Sequence, residues 1–133
     1  MRKILIVLFS VGMVFACVKK DNINSDLIGN WRLIEVLADP GDGSGTFHSV
    51  SSSKTIEFHS DGTVTSNGSI CDMSTDSDTP STGTYSLSDS TINSGNCVNS
   101  DIKIRFTMTG SSLIINYPCD EACKAGYFKN CSN

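Results

Sequence analysis

Catalytic equipment is nearly missing from these 133 residues. There are only two histidines, His48 and His59, and neither lies near a recognisable Ser or Cys elbow. Acid–base and nucleophilic catalysis rest most often on a histidine within reach of such a nucleophile. The expectation is therefore a protein that is not an enzyme, and no motif asks for a cofactor. Positive charge is scarce as well. Ten Lys and Arg stand against 14 Asp and Glu, a formal net charge of -4, and no basic stripe forms. Nucleic acid is not an expected partner. Past the amino end, no apolar run approaches the roughly 20 residues of a membrane-spanning helix. No stretch there keeps a 3.6-residue hydrophobic period, which removes helical architectures, and no internal repeat occurs.

What is present begins at the amino end. Arg2 and Lys3 precede 15 uncharged residues, Ile4 to Val18, and Lys19, Lys20 and Asp21 follow. A basic tip before a short apolar run has the form of an export signal, here a signal peptide helix. Val14-Phe15-Ala16-Cys17 resembles the bacterial lipobox, in which a small residue precedes an obligatory cysteine. The resemblance implies cleavage before Cys17, a diacylglyceryl group on its sulfur, and acylation of the new amino group. Residues 1–16 are then a lipoprotein signal peptide, 17–26 the lipidated cysteine and a polar tether, and 27–133 a single β domain. Several acyl chains, at about 0.8 kcal/mol per buried methylene, make an anchor that hardly dissociates. Val18 is not the aspartate that retains many such proteins in the inner membrane. The expected address is the bacterial cell envelope, at the outer membrane. Losing Arg2 and Lys3 takes the basic count from 10 to 8 against 14 acids, so the formal net charge becomes -6.

After the tether, where Ser25 or Asp26 is placed to cap a short helical turn, the chain reads as strands and turns. Trp31 and Leu33 share one parity, and Ile34 and Val36 the other, which predicts a strand covered on both faces or a bulge. Asp39-Pro40-Gly41-Asp42-Gly43-Ser44-Gly45 is a turn-rich loop. Ile56 and Phe58 alternate with Thr55 and Glu57. Ser60-Asp61-Gly62 then predicts a hairpin turn into Thr63-Val64-Thr65. A polar loop spans 72–81, and short strands are expected at 84–87 and around Thr91 and Ile92. The clearest pattern is 101–109, where Ile102, Ile104, Phe106 and Met108 alternate with polar residues, giving one buried and one wet face. Leu113, Ile115 and Tyr117 return after a turn, Pro118 stops that strand, and Tyr127 and Phe128 suggest a last one. Seven or eight short strands predict an all-β fold, a small antiparallel up-and-down barrel or half-barrel.

Several motifs, in order, resemble the lipocalin-like group of bacterial lipoproteins: Leu27-Ile28-Gly29-Asn30-Trp31, then Ile56 through Thr63, then Gly83-Thr84-Tyr85, then Met108 through Ile115. The resemblance implies a barrel whose base Trp31 closes. It also implies a small apolar ligand, which Phe58, Tyr85, Ile104 and Phe106 are expected to line, unless they are ordinary core. A second resemblance, to META/HslJ-like envelope lipoproteins, rests on the same Gly-x-Trp with Cys71, Gly83, Tyr85 and Cys97. It implies instead a filled structural module whose partner is another envelope protein.

Five cysteines remain beyond Cys17, and two bridges with one spare thiol can be drawn in fifteen ways. The expected pairs are Cys71 with Cys97 and Cys119 with Cys123, with Cys123–Cys131 as the competitor. An exported compartment oxidises thiols, so structural disulfides are favoured over a zinc site built from Cys119, Cys123, Cys131 and a histidine, and no metal is expected. The acids at 39 and 42 do not follow the alternate spacing of a calcium loop. Replacement Cys17→Ala is expected to release the protein from membranes or leave it uncleaved. Fractionation with mass analysis of the amino end checks this, and wild-type behaviour would refute the lipobox reading.

Overall fold

The computed structural model describes residues 26–98 and 103–130; Cys17 and the leader, Ile102 and Cys131 lie outside the described residues. Nine strands among the described residues make one antiparallel sheet: β1 (Gly29–Ala38), β2 (His48–Ser49), β3 (Thr55–Phe58), β4 (Thr63–Ser66), β5 (Ser81–Ser86), β6 (Thr91–Asn93), β7 (Ile104–Thr109), β8 (Ser112–Tyr117) and β9 (Cys123–Lys129). From β3 to β9 each strand pairs with the next in sequence, β3 pairs with the first half of β1, and β9 returns to β1. Eight strands therefore close an up-and-down barrel, a complete one and not a half-barrel. Closure removes the exposed edges that an open sheet would present. The two-residue β2 pairs with Glu35 and Val36 on the same edge of β1 as β3, and so continues the line of β3 toward the upper end.

Strand limits follow the turn chemistry. Gly62 takes φ 87° in the β3–β4 turn, a conformation that costs residues with a Cβ more than glycine. The Asp61 carboxylate accepts from the Thr63 amide at 2.9 Å and fastens that turn. Two strands are longer than their sequence patterns suggest. β5 begins at Ser81, inside the expected polar loop, because the Ser81 hydroxyl donates to the Gly68 carbonyl (2.6 Å) and accepts the Ile70 amide (2.9 Å). β9 begins at Cys123, directly after the tight turn that Cys119 and Cys123 close.

The parity change in β1 is a bulge. Leu33 pairs with Tyr127 and Glu35 with Gly126, so Ile34 is an extra residue on β1. Before it, Trp31 and Leu33 point inward; after it, Val36 faces the interior opposite Ala125. A bulge bends the strand and increases its twist, as a small closed barrel requires.

The interior is filled by side chains from the barrel strands, to which β5 contributes the partly buried Tyr85. Trp31, Leu33, Ile56, Phe58, Val64, Ile92, Ile104, Leu113, Ile115 and Tyr127 are all at most 2 % exposed. Short turns and the chain's entry at Asp26 lie at the lower end, and the longer loops at the upper end. Trp31 seals the lower end. Its indole N–H donates to the Leu27 carbonyl at 2.8 Å, and the Lys129 ammonium stands 5.3 Å from its ring centroid. That ammonium also donates to the Asp26 carbonyl. Truncation Trp31→Ala removes the seal and leaves a void, and is expected to cost about 3–5 kcal/mol. Urea denaturation checks this, and a loss below about 1 kcal/mol would mean that the base closes without the indole.

Candidate functional site

β6 has three residues, and it pairs with β7 only through Thr91–Arg105 and Ile92–Ile104. One further bond, from the Phe106 amide to the Ser90 carbonyl (2.9 Å), ends the ladder. Below it the chain turns away through Leu87–Ser90, with Ser90 at φ 52°. The lower half of β7 thus has no strand beside it on that flank. A groove of about 470 Å³ occupies the space. Leu27, Leu87, Phe106 and Met108 supply its apolar lining, and Asp89, Arg105, Thr107 and Asn116 its polar one. A hydrogen bond from Ser86 holds the Asp89 carboxyl below the ordinary aspartate value, helped by Lys103, whose Nζ is 3.6 Å from Asp89.

Phe106 belongs both to this groove and to the four residues that the sequence nominates for a ligand. The others lie deeper. Phe58 and Ile104 are 1 % and 2 % exposed. The Phe58 ring packs edge-on against Tyr85 at 5.2 Å and tilted against Phe106 at 5.7 Å. Tyr85 spends its hydroxyl on the His59 carbonyl at 2.7 Å. These four therefore form one aromatic–aliphatic cluster inside the barrel, with Phe106 at its open side. Leu27, Leu87 and Met108 were not nominated. The alternation around Met108 marked its face, but only the shortness of β6 uncovers it.

His59 holds a different arrangement on the outer wall. Its Nε2 is 3.0 Å from the Thr65 hydroxyl, and its Nδ1 is 4.0 Å from the Glu57 carboxylate. The order resembles a nucleophile, a base and an orienting acid. However, Thr65 sits in mid-strand, paired to Glu57 on one side and Thr82 on the other. Its backbone N–H serves the ladder and is not turned toward a developing oxyanion.

At the upper end a loop closes the barrel. Ile70 is buried and Met73 packs on the core. Lys54, 1 % exposed, donates from its ammonium to the carbonyls of Ser74 (2.7 Å) and Asp72 (3.2 Å). Burial lowers its pKa, against the pull of Asp72 and Asp76. Lys54 escaped sequence reasoning although it shares the inward parity of Ile56 and Phe58. Cys71 is bonded to Cys97 with Cα atoms 5.3 Å apart, joining this loop to the β6–β7 connection, and Cys119 is bonded to Cys123. A bridge across 26 residues of sequence stabilises by roughly 3–4 kcal/mol on the chain-entropy account. Deeper inside, burial pushes the Tyr127 phenol up to about 12 and also raises Tyr117. Among the described residues no group of three His, Cys, Asp or Glu converges as metal ligands.

A family model described as a lipocalin-like domain matches residues 27–115. No curated protein and no solved structure matches the chain.

The Asp39 carboxylate is turned into its own loop. It accepts the amides of Gly41 (2.7 Å), Gly43 (3.0 Å) and Gly45 (2.9 Å). These bonds, that of Gly45 foremost, hold its pKa below the ordinary aspartate value. A carboxyl lowered in the fold contributes stability that is complete above the unfolded value, about 4. That contribution is lost as pH falls through the lower folded value. Asp39→Asn is therefore expected to weaken stability at neutral pH and to flatten its decline in acid. Urea midpoints between neutrality and strong acid test this, and a parallel decline in both proteins would refute it.

Proposed function

The chain belongs to the lipocalin-like domain family, and from this premise we propose that its barrel holds a small apolar or amphipathic molecule in the groove beside β7. The groove itself carries the reading. Its 470 Å³ falls within the range of small-molecule pockets, about 300–1,000 Å³. Leu27, Leu87, Phe106 and Met108 offer apolar contact on its inner side. Arg105 and Asn116 offer an ionic and a hydrogen-bonding group at its rim. With Asp89 on the same lining, that distribution suits an apolar body with a polar head. A larger guest would have to displace Phe106 and reach Phe58 and Ile104 behind it.

In the same proposal Cys17 carries the lipid, and the domain works as an envelope lipoprotein at the outer membrane. It acts by binding and not by catalysis, with no cofactor or metal. The filled interior favours one alternative: a structural module whose walls and loops meet another envelope protein.

Native mass spectrometry of the mature protein, with organic extraction of what accompanies it, separates the two. Binding predicts a reproducible small-molecule adduct that is lost on denaturation. Met108→Trp, which fills the groove, is expected to abolish the adduct while leaving the circular dichroism spectrum intact. A clean apo mass with no uptake from an envelope lipid extract would overturn ligand binding in favour of the filled module.

A further inference from the structure

The barrel's outer surface differs from one side to the other. On β3 to β6 the outward residues of the strand centres are chiefly threonines, with Glu57 and no Lys or Arg. On β7, β8, β9 and β1 the register gathers bases and apolar groups. Arg105 pairs with Asn116 and Asn116 with Lys124, making one outward row. Arg32 pairs with Phe128 in another. Ile114 stands between these rows, opposite Gly126. Phe128 is 52 % exposed and the bulged Ile34 39 %. Glu35 is the one acid among these strands, and it lies folded against Gly126, where an added Cβ would come within 2.5 Å of its Cγ. An acidic protein has thus placed three bases and two exposed apolar side chains on one wall.

That wall lies beside the anchor. Phe128 precedes Lys129, whose ammonium holds the Asp26 carbonyl where the tether enters the fold. Eight residues separate Asp26 from Cys17, a reach of at most about 30 Å when fully extended. A lipid on Cys17 therefore keeps the lower end of the barrel, where Phe128 stands beside Lys129, within that reach of the bilayer surface. Scattered apolar tips among cations suit the headgroup layer, where apolar atoms dip inward and bases meet phosphates.

We infer that the β7–β8–β9–β1 wall is the face this protein lays on an anionic phospholipid surface, through Arg32, Arg105 and Lys124 with Ile34, Ile114 and Phe128. The inference rests on the lipoprotein reading of Cys17. Arg105 also lines the groove, so the ligand would be taken from, or delivered to, the bilayer itself.

The test uses the mature full-length protein purified with its lipid, whose mass first establishes the acyl groups. It is placed in phosphatidylethanolamine vesicles with and without phosphatidylglycerol and footprinted with hydroxyl radicals. Phe47, 37 % exposed on a loop at the upper end, serves as the internal reference. Oxidation of Phe128 is expected to fall several-fold relative to Phe47 when phosphatidylglycerol is present, and Lys124→Glu is expected to restore it. Equal oxidation of Phe128 in both vesicle types would overturn the inference while leaving the lipid anchor standing. Protection of Phe128 in intact cells but not in vesicles would also overturn it, by placing a protein partner on the wall. A mass without acyl groups would remove the lipoprotein reading and this inference with it.

Discussion

The return of β9 onto β1 is the constraint on which the rest of the structure depends. It runs from Trp31–Lys129 to Ala38–Cys123 and crosses the bulge at Ile34. Without the bulge, the inward parity of Trp31 and Leu33 would carry on to Glu35 and put a carboxylate in the core. The bulge delivers Val36 to the interior instead and leaves Glu35 lying against Gly126. One extra residue thus satisfies both the hydrophobic pattern and the curvature of closure.

Closure with eight strands also sets how much room there is. A barrel of this size has an interior just wide enough for its own side chains or one small ligand. Here Trp31, Tyr127, Phe58 and the aliphatic residues around them take that space. Both ends are shut by specific contacts: the indole and Lys129 below, and Ile70, Lys54 and the Cys71–Cys97 bridge above. The place where the wall is incomplete, beside the short β6, is where apolar interior meets solvent. That opening is the room the fold leaves for a guest.

Polar groups divide into those spent on the fold and those left for partners. Asp39, Asp61 and Lys54 are consumed by nearby backbone groups, so the acid-rich loop at 39–45 is a self-contained turn. Its carboxylate faces its own amides. Arg105 and Lys124 project from exposed or half-exposed strand positions instead.

Much of the fold was legible from the sequence because side-chain alternation and turn chemistry are local. The period of two around Ile104, Phe106 and Met108 assigned their faces, and Asp61-Gly62 assigned the hairpin. The order of Gly-x-Trp and the later motifs pointed to the lipocalin-like family. The sequence alone also carries Val14-Phe15-Ala16-Cys17, the motif on which the proposed lipid anchor rests, a matter of local chemistry that processing enzymes would read before folding. Tertiary structure decided the rest. The pairing of four cysteines among fifteen arrangements, the use of Lys54 as an internal latch, the aromatic cluster behind Phe106 and the groove all depend on which strands become neighbours. So does the basic, part-apolar wall, whose residues lie on β7 to β9 and on β1, at opposite ends of the chain. Alternation says which way a side chain points, but closure of the barrel says what it meets there.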